Sequence, residues 1–197
     1  LIAAACSERI GLGVGGSAAA RLSVSDPTAV DAVHRLGRRL SWHGGLTCDY
    51  FADDLGRNRF IECNPRTTEP GNAAAAGVNL PLLSIALATG GRLPRAPLIA
   101  RAGVRTRSTV ALALGAAERR GSRRAVLRSL ARALRHRPPL QGSCEVLTPV
   151  GGDPLSLAPA LVVVGSLLAR PRSVTALADS AVSAYAVTPR IIDRLRS

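Results

Sequence analysis

The chain has no lysine and no methionine, so all 26 of its basic residues are arginine. Every basic side chain is therefore a guanidinium, and no lysine ammonium is there to bind a phosphate. Aromatic residues make up only 3% of the 197 positions, with one Trp, two Tyr and two Phe. The core must therefore be built from Ala, Leu, Val and Ile. Long apolar runs are missing too. The longest, Ser156 to Ala169, covers 14 residues and includes a Pro, a Gly and two Ser, short of the roughly 18 apolar residues of a membrane span. A single-pass anchor is not expected, and Leu1 to Cys6 lacks the basic flank and the length of a signal peptide. Cys6, Cys48, Cys63 and Cys144 form no C-x-x-C pair, and His34, His43 and His136 are scattered, which argues against a structural zinc site. Reduced thiols and a cytoplasmic location are the expectation.

Acidic residues are scarce in one half only. Residues 1–91 carry 8 Arg and 8 acids, whereas residues 92–197 carry 18 Arg and 5 acids, so the whole net charge of +13 falls in the second half. This break divides the chain into an expected domain over 1–91 and an Arg-rich, mainly helical region over 92–197. The missing methionine and a start at Leu1 inside an apolar run point to a piece of a longer protein. With 47% apolar residues the chain is not expected to be disordered.

What is present reads as alternating strands and helices. Ile10 to Ser17 is a Gly-rich turn, and Ala18 to Val24 is a short strand. Ser25-Asp26-Pro27 starts a helix whose stripe is Val30, Val33, Leu36 and Leu40, closed by Gly44-Gly45. Leu46 to Ala52 and Arg59 to Asn64 form a hairpin around the turn Asp53 to Asn58. An Ala-rich helical turn to Ala76 follows, then a helix over Leu80 to Ala88. Two helices are expected near Ser108 to Arg120 and Ser122 to Arg137, short strand or irregular chain over Gln141 to Asp153, and two more helices over Ala158 to Leu168 and Ser173 to Leu195.

The hairpin carries the chemistry. With its axis between Leu55 and Gly56, Asp49 faces Glu62 across the strands, Asn64 shares their face, and Cys48 faces Cys63 on the other. Two directly opposed carboxylates repel, which a divalent cation would relieve: Mg²⁺ takes hard oxygen ligands, one or two carboxylates among them. The Asn64 amide oxygen adds a neutral ligand, and Arg66 places a donor fork beside the site. From spacing alone, the acids are either such a site or solvent-facing polar residues of an amphipathic hairpin. The two cysteines read as small residues packed in the core rather than as a disulfide. Gly11-Leu12-Gly13-Val14-Gly15-Gly16 satisfies G-x-G-x-x-G but has no clear strand before it and no helix directly after it. It reads as a plain turn rather than a dinucleotide site.

G-G-L-T-C-D-Y-F, then I-E-C-N-P-R and A-A-G-V-N-L-P, resembles the C-terminal half of an ATP-grasp domain, over roughly residues 10–91. This is the superfamily of carbamoyl phosphate synthetase, biotin carboxylase and D-alanine–D-alanine ligase. The resemblance implies an α+β fold, an antiparallel sheet with packed helices forming half of an ATP-grasp domain, followed by the mostly helical basic region. It implies that Asp49, Glu62 and Asn64 hold Mg²⁺ (or Mn²⁺) on the phosphates of ATP, that Arg66 contacts phosphate or an acyl phosphate, and that Gly15, Gly16 and Ser17 form a loop near the cofactor and acceptor substrate. The implied reaction is that of an ATP-dependent ligase activating a carboxylate for attack by an amine-type nucleophile. In that family a preceding half supplies the adenine hinge and phosphate-binding lysines. This chain lacks lysine, so by itself it is expected to be inactive, its implied partner being the missing half.

Arg105 to Arg137 holds ten Arg and one acid, Glu118, and no aromatic residue. Its second helix has an apolar face of Val126, Leu127, Leu130, Ala131 and Leu134, with Arg124, Arg128, Arg132 and Arg135 across from it. The stretch reads either as a solvated face or as a surface for an anionic partner. The alternatives to a ligase are therefore a basic helical binding module and a degenerate fragment without activity of its own.

Overall fold

The structure, a computed structural model, describes residues 1–148 and 150–176. The helix expected over Ser173 to Leu195 lies, past residue 176, outside the described residues.

Among the described residues the architecture is α+β with three small sheets. Strands β2 (Cys6–Leu12) and β3 (Ala18–Val24) pair antiparallel through the connection Gly13 to Ser17. Before them β1 (Ala3–Ala4) is a two-residue strand. Helix α1 (Pro27–Arg39) follows, capped by Asp26, whose carboxylate accepts from Ala29 N at 2.8 Å. The hairpin β4 (Thr47–Ala52) and β5 (Asn58–Asn64), the helices α2 (Gly71–Ala75) and α3 (Leu80–Ala88), and the short strands β6 (Leu98–Ile99) and β7 (Arg105–Arg107) come next. Then come α4 (Thr109–Arg120), α5 (Arg123–Leu134), β8 (Cys144–Glu145) and α6 (Leu157–Ala169). Among the described residues no helix is long and apolar enough to cross a membrane.

Local chemistry explains these boundaries. Ser108 Oγ accepts from Ala111 N at 3.2 Å and Ser122 Oγ from Ala125 N at 3.3 Å, so each hydroxyl satisfies a first-turn donor of α4 and α5. Between them Gly121 closes α4 in the left-handed region, φ 55°. Asn79 caps α3 in the same way, accepting from Leu82 N at 3.0 Å.

The expected Gly-rich turn over Ile10 to Ser17 is shorter than its sequence suggests. Ile10 to Leu12 belong to β2, because this part of the strand has a partner in β3, and only Gly13 to Ser17 turn. The G-x-G-x-x-G run thus joins two antiparallel strands, with no helix to receive a pyrophosphate.

The larger sheet runs in the order β2-β3-β7-β8, and β6 pairs parallel with β1. Both connections cross residue 91, so the break in charge is not a break in hydrogen bonding. The core is made of small side chains, as the shortage of aromatics requires. Ala19, Ala20, Leu112, Ala133 and Leu140 form one cluster, and Ala113, Ala117, Val126, Leu167 and Val174 another. Small residues let α4 approach the β2–β3 connection closely: a Cβ on Gly115 would lie 2.5 Å from Leu12 O.

Helix α5 departs from its expected face. Ala125, Val126 and Ala133 are buried, while Leu127 and Leu134 are 53% and 69% exposed. The packed stripe is rotated toward the alanines because α4 offers small residues, Ala113 and Ala117, at close approach.

Candidate metal centre

The Asp26 carboxylate ties the hairpin to the start of α1. Tyr50 Oη donates to Asp26 Oδ2 at 2.8 Å, and Asn58 Nδ2 donates to the same carboxylate at 3.1 and 3.3 Å. Desolvation works to raise the Asp26 pKa, but the donors from Ala29 N–H, Tyr50 and Asn58 outweigh it and hold the carboxyl below its ordinary value. Burial, reinforced by the Asp26 hydrogen bond, pushes the Tyr50 phenol well up. The Tyr50 and Phe60 rings meet at 5.4 Å between centroids on this docked side.

Alternation along β4 puts Asp49 on the side opposite Tyr50. Asp49 pairs directly with Glu62, Cys48 with Cys63, and Thr47 with Asn64, as the sequence register requires. Beyond Asp49 the register slips by one, so that Tyr50 faces Phe60 and Ala52 faces Asn58. The extra residue is Ile61, which is 69% exposed. Strict alternation along β5 would put Phe60, Glu62 and Asn64 on one face. The bulge separates them: Phe60 and Asn58 turn to the docked side, Glu62 and Asn64 to the other.

Asn64 Nδ2 donates to Glu62 Oε1 at 2.9 Å, which orients the amide beside the carboxylate. Among the described residues neither Asp49 nor Glu62 makes an ion pair, Arg59 and Arg57 being spent on Asp53 at 3.0 and 2.9 Å. Arg66 follows the strand; its carbonyl accepts from Thr47 Oγ1 at 2.9 Å, and its guanidinium has no partner among the described residues. No three His, Cys, Asp or Glu side chains among the described residues converge, so the donor set here is two carboxylates and one amide oxygen. All four residues line a cleft of about 1480 Å³ together with Gly15, Gly16 and Ser17.

The Gly-rich connection is clamped from the second half of the chain. Gly15 N donates to Glu118 Oε2 at 3.0 Å and to Oε1 at 3.1 Å, and Arg119 donates to Leu12 O and Gly13 O at 3.3 Å. Gly15 and Gly16 take φ of 59° and 77°, where glycine is favoured. The Gly15 N–H is therefore already satisfied by a carboxylate, and an anion approaching it would have to displace Glu118.

The cysteine pair is not core packing. Cys48 is half-buried and Cys63 exposed, with Cys48 Sγ donating to Cys63 Sγ at 3.6 Å. Desolvation and the neighbouring Cys63 push the Cys48 thiol up to about 11. In native protein at pH 8, iodoacetamide should alkylate Cys48 far more slowly than in denatured protein, with a rate rising about tenfold per pH unit toward 11. Peptide mass spectrometry reads this, and equal rates in native and denatured chain would contradict the assignment. His43 is exposed, and its neighbour Trp42 donates Nε1–H to Gly45 O at 3.2 Å.

Sequence reasoning missed the docking role of Asp26 and the Glu118 clamp. Asp26 is legible as a cap, but its tie to Tyr50 and Asn58 joins positions 24 and 32 residues apart. No family model matches this chain, and no curated protein or solved structure matches it.

Proposed function

We propose that Asp49, Glu62 and Asn64 form a divalent-cation site, and that the chain is the metal-binding part of an ATP-dependent carboxylate–amine ligase of the ATP-grasp kind. The observation that carries the reading is the direct pairing of two carboxylates that no cationic side chain neutralises among the described residues, with an amide oriented beside them. Such a pair destabilises a hairpin unless a cation sits between them. The donors suit Mg²⁺: all are hard oxygens, and the thiols of Cys48 and Cys63 lie on the other face, which disfavours softer metals. When bound, the cation supplies positive charge that stabilises phosphate oxygens.

The chain's own residues have narrower tasks. Asp49 and Glu62 hold the cation, Asn64 completes its ligands without adding charge, and Arg66 offers a planar fork to a phosphate or acyl-phosphate oxygen. With no lysine and with Gly15 engaged by Glu118, the described residues lining this cleft offer ATP the cation and the unpaired guanidiniums of Arg38 and Arg66. Isolated protein with ATP, Mg²⁺ and a carboxylate pool is accordingly inactive in this reading, and activity requires a nucleotide-binding half supplied in trans.

Calorimetric titration with Mn²⁺ tests the site. One equivalent should bind, and Asp49→Asn and Glu62→Gln should each weaken it by at least about tenfold, a loss of 1.4 kcal/mol. Binding indifferent to both substitutions would overturn the site. Release of ADP by the isolated chain above background would show that the phosphate-binding groups have been misassigned.

A further inference from the structure

A second cleft, of about 390 Å³, opens between the edge strand β2 and the helices α4 and α5. Its apolar floor includes Ile10 and Leu112, and its rim carries Arg119, Arg120, Arg128 and Arg132. No acidic residue lines it: Glu118, the neighbour of two of these arginines in sequence, is turned to Gly15. Arg119 is held by the carbonyls of Leu12 and Gly13. The guanidiniums of Arg120, Arg128 and Arg132 have no hydrogen bond or ion pair among the described residues.

This arrangement carries a cost. Arg124, Arg128 and Arg132 follow one another at i,i+4 along α5, a helix with no acidic residue. Like charges at this spacing destabilise a helix by roughly 0.2–0.5 kcal/mol per pair. A bound anion offsets the repulsion at the two that rim the cleft. Three free guanidiniums around one pocket match the charge of a diphosphate, and the guanidinium fork matches its oxygen geometry. The volume is at the lower end of small-molecule sites and far too small for a duplex. No aromatic residue lines the cleft, so it offers a nucleobase no stacking platform.

We propose that this cleft binds a small organic diphosphate, with Arg120, Arg128 and Arg132 on its charged head and the apolar floor under an aliphatic body. The site is independent of the hairpin and of the metal reading.

Inorganic pyrophosphate without metal is the first probe, titrated calorimetrically at low salt, and an alkyl diphosphate is the second. Saturable binding of one equivalent is expected, tighter for the alkyl diphosphate. Arg120→Gln alone should weaken both by about tenfold, and Arg128→Gln/Arg132→Gln by more. Arg124→Gln/Arg135→Gln removes as much charge from α5 and its C-cap, at positions outside the cleft, and should leave the affinity within about twofold. Circular dichroism checks that each variant folds; should the α5 double variants fail, Arg120→Gln at the end of α4 still decides. Equal weakening by the inside and outside pairs would mean diffuse attraction, and no binding of either probe would mean a merely solvated rim. Displacement of the probe by an oligonucleotide at equal phosphate concentration would make nucleic acid the occupant. Each of these three outcomes overturns the proposal.

Discussion

Asp26→Ala should free the β4–β5 hairpin from α1 and cost about 3 kcal/mol. The cap alone is worth about 1 kcal/mol, and hydrogen bonds to a charged group contribute about 1.5–3 kcal/mol each when well shielded. The Tyr50 and Asn58 bonds are only partly buried, so each falls below that range, to about 1 kcal/mol. Urea unfolding should show the loss in midpoint. Hydrogen exchange should show it first in Tyr50 to Asn58, while the amides of β3 and α4 keep their relative protection. Asp26→Asn preserves the cap and should cost about a third as much, because an amide is a competent capping group. The pH dependence follows from the direction of the shift. A carboxyl held below its ordinary 3.8 contributes its full stabilisation above that pH and loses it as pH falls through the lower folded value. Asp53 is lowered too, first by Arg57 N–H and further by the Arg57 and Arg59 side chains, so it adds to the same acid limb. Asp26→Asn should make that limb shallower without removing it. A variant as stable as the parent, with an unchanged acid limb, would remove Asp26 from its docking role.

Gly115→Val is expected to be more damaging, at about 3 kcal/mol or more, the upper end of overpacking costs. A Cβ there would meet Leu12 O at 2.5 Å and Gly13 C and O at 2.7 Å, all backbone atoms that cannot rotate aside. The same helix sends Glu118 to Gly15 and Arg119 to Leu12, so pushing α4 outward breaks these hydrogen bonds as well. Gly115→Ala gains about 1 kcal/mol of helix propensity and still meets the same atoms, so a net loss remains. Gly37 in α1 is the contrast: a Cβ there would touch only Trp42 Cβ, at 3.9 Å. Gly37→Ala should therefore stabilise by up to about 1 kcal/mol. Thermal melts of the three variants check both signs together, and a neutral Gly115→Val would show that α4 does not rest on the Leu12–Gly13 backbone.

Much of this protein was determined by its sequence alone, because the deciding interactions are short-ranged. Asp26, Asn79, Ser108 and Ser122 cap their helices within three residues, and the turn around Gly56 sets β4 against β5 closely enough to pair Asp49 with Glu62. Scarcity of aromatics likewise dictated a core of alanine and aliphatic side chains. Tertiary structure decided what lay beyond that reach. The bulge at Ile61 exists where Phe60 and Asn58 turn toward Asp26 while Glu62 keeps its pairing, a compromise no local pattern announces. Strict alternation would have put Phe60 and the acid on one face. Glu118 fills the Gly15 amide across 103 positions, and β7 joins the sheet beside β3 although the break in charge lies between them. These contacts depend on which surfaces remain unpaired after the local elements form. Only packing small side chains against one another settles that, and the same packing leaves Arg120, Arg128 and Arg132 on the rim of a groove.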